Sequence, residues 1–181
     1  MENAEQQIMS LIFFIGMPGS GKSHWAKKVA AHYQLSSIDL DEYLQQHERM
    51  NIGDIFIKQG EEEFRRKENK ALISIVENNR HNDAIISCGG GTPYFSNNMD
   101  ILKRSGHTVY LKGNVNTLLH RLQNEIYHRP LLQKQQDLPK YLEEQLSLRR
   151  HVYEQADYIL QIEDISLTNF DKIISSCISR Q

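Results

Sequence analysis

Cysteine is scarce in this chain of 181 residues, which contains only two. Cys88 and Cys177 lie far apart and form no C-x-x-C pattern. This usage favours a reducing, intracellular compartment over a disulfide framework. Long apolar runs are also missing, because the longest, LIFFIGM, is far too short to span a bilayer. The N-terminal stretch MENAEQQIMS is polar and acidic and lacks the positive charge of a signal peptide, so we expect a cytoplasmic protein.

A strong charge of either sign is absent as well, since the formal net charge is -2. No global attraction to nucleic acid or to anionic membranes is therefore expected, and any basic site must be local. The 39% hydrophobic and 24% charged residues are typical of a soluble globular chain. We expect one domain over residues 1–181, with no nucleic-acid or membrane partner and, without a visible oligomer signature, a monomer.

Short apolar runs alternate with longer helical stretches along the whole chain. The apolar runs are nearly continuous, which is typical of parallel strands covered on both faces. Strands are predicted at Leu11–Ile15, Ser36–Asp39, Ala84–Cys88, His107–Leu111 and Tyr158–Ile162. Helices are predicted at Lys22–Tyr33, Gly60–Asn79, Asn97–Arg104, Val115–Gln123, Leu138–Gln155 and Thr168–Ser179. This alternation predicts an α/β fold, a three-layer α/β/α domain around a central five-stranded parallel sheet.

One segment interrupts the alternation. Asn124–Asp137, NEIYHRPLLQKQQD, is polar, contains Pro130 and lacks a clean hydrophobic period. Long polar excursions of this kind often close over bound substrates. We therefore predict a mobile lid at residues 124–137.

The stretch GMPGSGKS, Gly16–Ser23, matches the P-loop pattern G-x-x-x-x-G-K-[ST] between a predicted strand and a predicted helix. Its glycines let the backbone wrap around a phosphate with the N–H groups inward, and the helix N-terminus adds positive potential. Lys22 is then predicted to bridge the β- and γ-phosphates, and Ser23 to ligate Mg²⁺. The alternative is a chance match in a glycine-rich turn. The motif alone does not separate a kinase from an NTPase or a GTP-driven switch.

Asp39 and Asp41 stand at the end of the second predicted strand, in SSIDLDEYL. The carboxyl edge of such a sheet forms the ligand crevice. Two residues apart on a strand, both side chains share a face, so one carboxylate can serve a metal and the other an acceptor hydroxyl. The competing interpretation is N-capping, because a helix is expected to start near Glu42.

Two further segments carry candidate binding residues. In GEEEFRRKE, Arg65 and Glu68 have the i, i+3 spacing of a pair that fixes a guanidinium, although a solvated helix face is the plainer interpretation. In CGGGT, Gly89–Gly91 follow the third strand and permit close approach of a ligand, or form a flexible turn. Arginines such as Arg129 and Arg149 gain meaning only as part of a set.

In order, the chain carries the P-loop, DLDEYL, IGDIFIKQGEEEFRRKE, CGGGT, RPLL and LRRHVYEQAD. Together these segments closely resemble the shikimate kinase family, from Ile12 to about Ile162. P-loops are widespread, but IFIKQGEEEFR followed by GGGT and RPLL at these spacings is far more specific. The resemblance implies a P-loop kinase fold with a mobile lid. It also implies transfer of a phosphoryl group from ATP to the 3-hydroxyl of shikimate, in aromatic amino acid biosynthesis.

For the nucleotide, the resemblance implies an ATP site with one Mg²⁺ ion per subunit. Lys22 and Ser23 match the phosphate lysine and the Mg²⁺ ligand, and Asp39 matches the residue that holds Mg²⁺ through water. Arg121 matches an arginine that stacks on adenine, and Arg129 matches the lid arginine that closes on the transferring phosphoryl group. The implied ATP-binding residues are Gly16, Gly19, Ser20, Gly21, Lys22, Ser23, His24, Arg121 and Arg129.

For the acceptor, Asp41 matches the carboxylate that binds the shikimate hydroxyls and acts as the base. Arg65 and Arg149 match the arginines that clamp the substrate carboxylate. The remaining implied shikimate-binding residues line or wall the ring: Gly89, Gly90, Gly91, Phe56 and Phe64. The implied catalytic residues are Lys22, Asp41 and Arg129.

One departure from the family pattern is His24, which stands where threonine is usual; Ser23 still occupies the Mg²⁺ position. Two rival functions stay open. A gluconate-kinase-like enzyme would also bind a carboxylated acceptor, but would not be expected to carry GEEEFR, GGGT and RPLL together. A non-catalytic nucleotide-binding paralogue would be expected to lack Asp41 or the substrate arginines, and all of these are present.

Overall fold

The structure, a computed structural model, describes residues 10–123 and 135–178. Within these residues, five strands form one sheet in which all neighbours are parallel, in the order β2-β3-β1-β4-β5. The strands are β1 (Leu11–Ile15), β2 (Ser36–Asp39), β3 (Ala84–Ser87), β4 (Gly106–Lys112) and β5 (Tyr158–Gln161). The predicted five-stranded parallel sheet is therefore confirmed.

The described helices are α1 (Lys22–Tyr33), α2 (Leu40–Glu48), α3 (Ile52–Asn78), α4 (Asn98–Ser105), α5 (Val115–Leu122), α6 (Leu138–Tyr153) and α7 (Thr168–Cys177). For the strands and for the helices predicted with both ends, the observed ends lie within two residues of the predicted ones, except at the start of α3. For α2 only a start near Glu42 is predicted, and the helix begins at Leu40. None of the described helices combines the length and the apolar character needed to cross a membrane.

The sequence pattern predicts a helix from Gly60 to Asn79, and α3 contains it, but α3 already begins at Ile52. Gly60 divides α3 into two helical segments, with φ 82° and ψ 173°. This backbone conformation is essentially restricted to glycine. Gly60 thus joins two helical segments of different direction, and Phe56 and Arg65 lie on opposite sides of the break.

Helices cover both faces of the sheet. On one face, the ring of Phe14 in β1 stacks on Phe170 of α7 at 5.4 Å, and Phe170 lies 5.4 Å from Trp25 of α1. Tyr110 of β4 pairs with the residue after Phe14, so its side chain points to the other face. There its ring lies 5.1 Å from Tyr153 of α6.

Burial is highest in the centre of the sheet. Every residue of β1 is buried, because β1 has strands on both sides and helices on both faces. The edge strands β2 and β5 are only partly buried, so the expected continuous burial holds for β1, β3 and the middle of β4. Since all strands are parallel, the segments that follow β1, β2 and β3 meet at one edge of the sheet.

Candidate active site

The P-loop runs from the end of β1 to the first residue of α1. Gly16 and Gly19 have φ values of 140° and 82°, and a Cβ on Gly16 would lie 2.6 Å from the carbonyl oxygen of Leu111. The loop therefore needs glycine both for its backbone conformation and for space. Lys22 is buried, and its ammonium donates to the carbonyl oxygen of Met17 at 3.0 Å. The N-terminus of α1 and the Lys22 charge thus face the same cleft.

A cleft of about 670 Å³ opens at the carboxyl edge of the sheet. The P-loop and residues at the ends of β2 and β3 line it, together with His24, Trp25, His120, Arg121 and Ile165. The fold thereby brings the predicted nucleotide-binding residues of the described chain together with the two aspartates, except Gly16 and Ser20, which do not line the cleft.

Ser23 and Asp39 meet directly in this cleft. The Ser23 hydroxyl donates to Oδ2 of Asp39 at 2.6 Å, and the hydroxyl of Ser87, at the end of β3, lies 3.1 Å from it. Oδ1 of Asp39 accepts from the backbone N–H groups of Asp41 at 3.0 Å and Glu42 at 3.2 Å, which caps α2. Asp39 therefore caps α2, as the competing interpretation predicted, and its second carboxylate oxygen at the same time faces Ser23 in the cleft.

Asp41 lies in the first turn of α2 and not on β2, because β2 ends at Asp39. The expectation that the two aspartates share a strand face is wrong for this reason. Asp41 nevertheless lines the cleft, with Oδ1 3.1 Å from the position that a Cβ on Gly89 would take.

Arg65 and Glu68 form the pair that their spacing predicts. Nη1 of Arg65 donates to Oε2 of Glu68 at 2.9 Å, and Oε1 of Glu68 accepts from the Thr92 hydroxyl at 2.6 Å. The Glu68 side chain is 1% exposed and that of Arg65 is 11% exposed. A solvated helix face is thus the wrong interpretation for these two residues. It holds for Arg66, which is 55% exposed and pairs with Glu63.

The three glycines after β3 leave room for three different groups. A Cβ on Gly89 would lie 2.8 Å from Oε1 of Glu68, and one on Gly90 would lie 2.7 Å from Cδ of Pro18 in the P-loop. A Cβ on Gly91 would lie 2.7 Å from Nη1 and Nη2 of Arg65. The acid, the P-loop and the arginine can therefore surround this segment only because it has no side chains.

The charges of the site converge on the end of β3. Burial raises the pKa of the Cys88 thiol, and Glu68, Asp39 and Asp41 raise it further while Lys22 lowers it. These four charged residues, from the P-loop, β2, α2 and α3, therefore lie around the end of β3.

Arg149 of α6 is 8% exposed, and its Nη2 donates to Oε1 of Gln145 one turn earlier. Its Nε is buried and finds no hydrogen-bond partner among residues 10–123 and 135–178. Burial raises the pKa of Tyr153 to about 12, while the charges of Arg149 and, less strongly, Arg65 oppose this rise. The phenol therefore stays protonated at neutral pH and donates to the carbonyl oxygen of Gly90. Both predicted substrate arginines thus act on Tyr153.

The aromatic pair Phe56 and Phe64 lies beside Arg65. Their ring centres are 4.4 Å apart, and Cζ of Arg65 is 4.9 Å from the centre of the Phe64 ring. Phe56, Phe64, Arg65, Gly91 and Arg149 do not line the 670 Å³ cleft itself. Of these residues, Phe56, Phe64, Arg65 and Gly91 are in contact and form a second group.

Arg121 connects three segments beside the cleft: α5, the P-loop and the residues after β5. From α5, it donates to the carbonyl oxygens of Ser20 at 3.3 Å and Ile162 at 2.8 Å. Arg129 and most of the predicted lid lie outside the described residues.

Sequence reasoning missed several residues of this site. Gln145 precedes Arg149 by four residues, a helical spacing that could have indicated the contact. Thr92 belongs to the quoted GGGT segment. Ser87 lies within the predicted strand Ala84–Cys88 and ends the observed β3. Nothing in the sequence connects Phe95 with Arg65, although Cζ of Arg65 lies 3.9 Å from the centre of the Phe95 ring.

A P-loop at the carboxyl edge of a parallel sheet, with two aspartates in the same cleft, defines the class of the P-loop kinases that phosphorylate small molecules. A family model described as shikimate kinase matches residues 18–179. The chain belongs to the shikimate kinase family. The enzyme class predicted from the sequence, an ATP-dependent kinase, is thereby confirmed.

Individual relatives agree with this family over most of the chain. A shikimate kinase of Azobacteroides pseudotrichonymphae is 36% identical over 163 residues, which are 89% of this chain and 95% of the relative. The crystal structure of shikimate kinase from Bacteroides thetaiotaomicron superposes with a TM-score of 0.83 at 30% identity, covering 93% of this chain and 97% of that one. A shikimate kinase from Acinetobacter baumannii in complex with shikimate gives 0.84 at 25% identity, covering 94% and 93%.

Replacement of Lys22 tests the phosphate-binding role of the P-loop. We expect Lys22→Ala to lower kcat by about 10²-fold or more, because one preorganised positive group is lost from the phosphates. The melting temperature should stay close to that of the wild-type protein. Lys27→Ala, on the exposed side of the same helix, is the matched control and should keep normal turnover. Near-normal turnover of Lys22→Ala would contradict the role.

Proposed function

We propose that this protein transfers the γ-phosphoryl group of ATP to the 3-hydroxyl of shikimate, giving shikimate 3-phosphate and ADP. Family membership supports this reaction, as does the similar A. baumannii protein in complex with shikimate. The observation that carries it here is the buried guanidinium of Arg149, whose Nε has no partner within the part of the chain that the structure describes. A buried donor of this kind is costly unless an acceptor arrives, and an anionic acid supplies one.

The P-loop residues are proposed to hold the ATP phosphates. The backbone of Gly16–Gly21, the N-terminus of α1 and Lys22 offer hydrogen bonds and positive potential to the β- and γ-phosphates. Ser20 and His24 belong to the same segment. Arg121 is proposed to lie against adenine, and its two hydrogen bonds to backbone carbonyls fix its guanidinium beside the cleft.

The residues around Ser23 fit a Mg²⁺ ion. The ion prefers oxygen donors, and in kinases few protein ligands hold it together with phosphate oxygens and water. Three side chains present such oxygens close together. Oγ of Ser23 lies 2.6 Å from Oδ2 of Asp39 and 3.1 Å from Oγ of Ser87. We therefore assign one Mg²⁺ ion to Ser23 and Asp39, with the Asp39 contact made through water. Bound there, it supplies charge neutralisation for the phosphates.

Asp41 is proposed to bind the shikimate hydroxyls and to accept the proton of the attacking one. As that oxygen forms its bond to the γ-phosphorus, the bond to the bridging β–γ oxygen breaks and ADP leaves. Asp41 lines the cleft from the first turn of α2, close to Gly89. Arg129 stays a prediction from the family resemblance, as the residue that closes on the transferred group.

Arg65 and Arg149 are proposed to grip the substrate carboxylate jointly. A planar guanidinium can give a carboxylate two parallel hydrogen bonds. Glu68, buried and bonded to Thr92, holds Arg65 from behind, and Gln145 holds one nitrogen of Arg149. The backbone of Gly89–Gly91 and the rings of Phe56 and Phe64 would then surround the ring of the substrate.

We further propose that the protein acts in the cytoplasm as a monomer and as one domain over residues 1–181, with ATP and shikimate as its partners. Both thiols, Cys88 and Cys177, are buried and free. Burial raises the pKa of each, as is typical of inert structural cysteines. A single domain is supported by the pairing of β5, near the end of the described chain, with β4 of the same sheet.

An ADP-release assay with shikimate, with gluconate and without acceptor tests the proposed reaction. We expect Mg²⁺-dependent release with shikimate and only background release in the other two reactions. Turnover of gluconate would instead support a sugar-acid kinase. Equal release without acceptor would indicate an NTPase, and ATP binding without release would indicate a non-catalytic nucleotide-binding protein.

Replacement of Asp41 tests the proposed base. We expect Asp41→Asn to lower kcat by about 10²–10⁴-fold, the usual contribution of a general base, while ATP affinity by calorimetry stays near normal. Glu42→Gln changes the next residue, which pairs with Lys27 at 2.8 Å on the surface, and should leave kcat unchanged. Weak binding of Mg²⁺–ATP with a normal kcat would make Asp41 a metal residue instead.

Lysine substitutions test the carboxylate grip, because they keep the charge and lose the planar fork. Arg65→Lys and Arg149→Lys should each raise the KM for shikimate about tenfold or more and leave the KM for ATP nearly unchanged. The controls are their neighbours Arg66→Lys and Arg150→Lys, whose side chains are 55% and 57% exposed.

A shikimate analogue with a neutral group in place of the carboxylate should be a poor substrate of the wild-type protein. The Arg65→Lys and Arg149→Lys variants should discriminate less between this analogue and shikimate. If the control variants weaken shikimate binding as much as the two test variants do, the assignment of these arginines is wrong.

A further inference from the structure

Phe95 has no role in the site described so far, yet its ring covers the guanidinium of Arg65. Cζ of Arg65 lies 3.9 Å from the centre of the Phe95 ring and 4.9 Å from that of Phe64. Distances of this size place the cation in favourable contact with an aromatic face. Two carboxylates bind the guanidinium along its edge, Glu68 at 2.9 Å and Glu61 at 3.2 Å. The group is therefore restrained by rings as well as by hydrogen bonds.

The backbone restrains the same group at Gly91. A Cβ on Gly91 would lie 2.7 Å from both terminal nitrogens of Arg65, so the bare glycine backbone is in contact with the guanidinium. Gly91 and Phe95 belong to one turn, because the N–H groups of Tyr94 and Phe95 both donate to the carbonyl oxygen of Gly91, at 3.0 and 3.3 Å. Asn98 then donates its N–H to the carbonyl oxygen of Phe95 at 3.3 Å. The ring and the glycine are thus held at a fixed separation.

We propose that Phe95 is a positioning residue for shikimate binding, which acts by holding the plane of the Arg65 guanidinium. The inference rests on the proposed function and deepens it. A carboxylate accepts two hydrogen bonds only from a guanidinium that lies in its plane. The contact with the Phe95 ring is lost when the guanidinium tilts, so the ring favours one plane. With Glu61 and Glu68 alone, the guanidinium could still tilt about its hydrogen bonds to these carboxylates.

A purely structural role is the competing explanation. Phe95 is half-buried, and the ring of Tyr94 meets it edge-on at 5.3 Å. If packing were its whole contribution, an aliphatic residue of similar size would serve as well. The two explanations differ in whether substrate affinity depends on the aromatic face.

Phe95→Leu is the first test, because leucine fills similar space and has no aromatic face. We expect its KM for shikimate to rise about 2- to 30-fold, the range of a partly desolvated cation–π contact. Its kcat and KM for ATP should stay within about twofold of the wild-type values, since a change at Phe95 does not touch the P-loop. Phe95→Tyr keeps the aromatic face and should restore the wild-type KM for shikimate. Thermal melting of each variant monitors the fold, and Phe95→Met replaces Phe95→Leu if the latter is not folded.

A double-mutant cycle decides whether Phe95 acts through Arg65. In an Arg65→Gln background no cation faces the ring, so adding Phe95→Leu should raise the KM for shikimate little further. An equal rise of the KM for shikimate in both backgrounds would overturn the proposal. So would a wild-type KM in Phe95→Leu and Phe95→Met, or a raised KM in Phe95→Tyr. Failure of the proposed function is seen separately, as absence of shikimate turnover in the wild-type protein, and it would remove the proposal with it.

Discussion

The burial of one negative charge, that of Glu68, organises the part of the site around Arg65 and Gly89–Gly91. Glu68 is almost completely removed from solvent, and a buried carboxylate is tolerated only when charged or hydroxyl donors compensate it. Its donors come from two separate parts of the chain, Arg65 on its own helix and Thr92 after β3. Satisfying this carboxylate therefore holds α3 against the glycine segment. The bond from Arg65 to Glu68 also sets the direction of the Arg65 guanidinium. One interaction therefore both orients this side chain and holds the two segments together.

The glycines of the two loops act by different physics. In the P-loop, Gly16, Gly19 and Gly21 have positive φ values, which allow the chain to turn around a phosphate. Gly89–Gly91 have no positive φ values, and each is instead approached by atoms of another segment. The absence of three side chains lets Pro18 of the P-loop, Glu68 and Arg65 approach from different directions. The close approach of the P-loop and of α3 to this segment depends on its bare backbone.

The sequence predicted best what local chemistry decides. The ends of β1, α1 and β2 follow from the P-loop pattern and from Asp39 as a cap, and the pair of Arg65 with Glu68 follows from helical spacing. The helical segment before Gly60 is not predicted, because a glycine at a helix start and one within a broken helix look alike in sequence. The position of Asp41 on α2 depends on where Asp39 ends the strand. The contact of Phe95 with Arg65 joins residues of separate elements and has no local signal, so only the folded chain reveals it.

Gly60 shows how a residue without side-chain neighbours can still be irreplaceable. It is exposed, and among the residues that the structure describes, no atom beyond its own stretch of helix lies within 4 Å of the position that a Cβ would take. By contact alone the position would tolerate almost any residue. Its backbone conformation, however, costs other residues about 1–3 kcal/mol. Sequence variation at Gly60 is therefore limited by its backbone conformation, which sets the angle between the two segments of α3. Exposure alone does not show which residues this position tolerates.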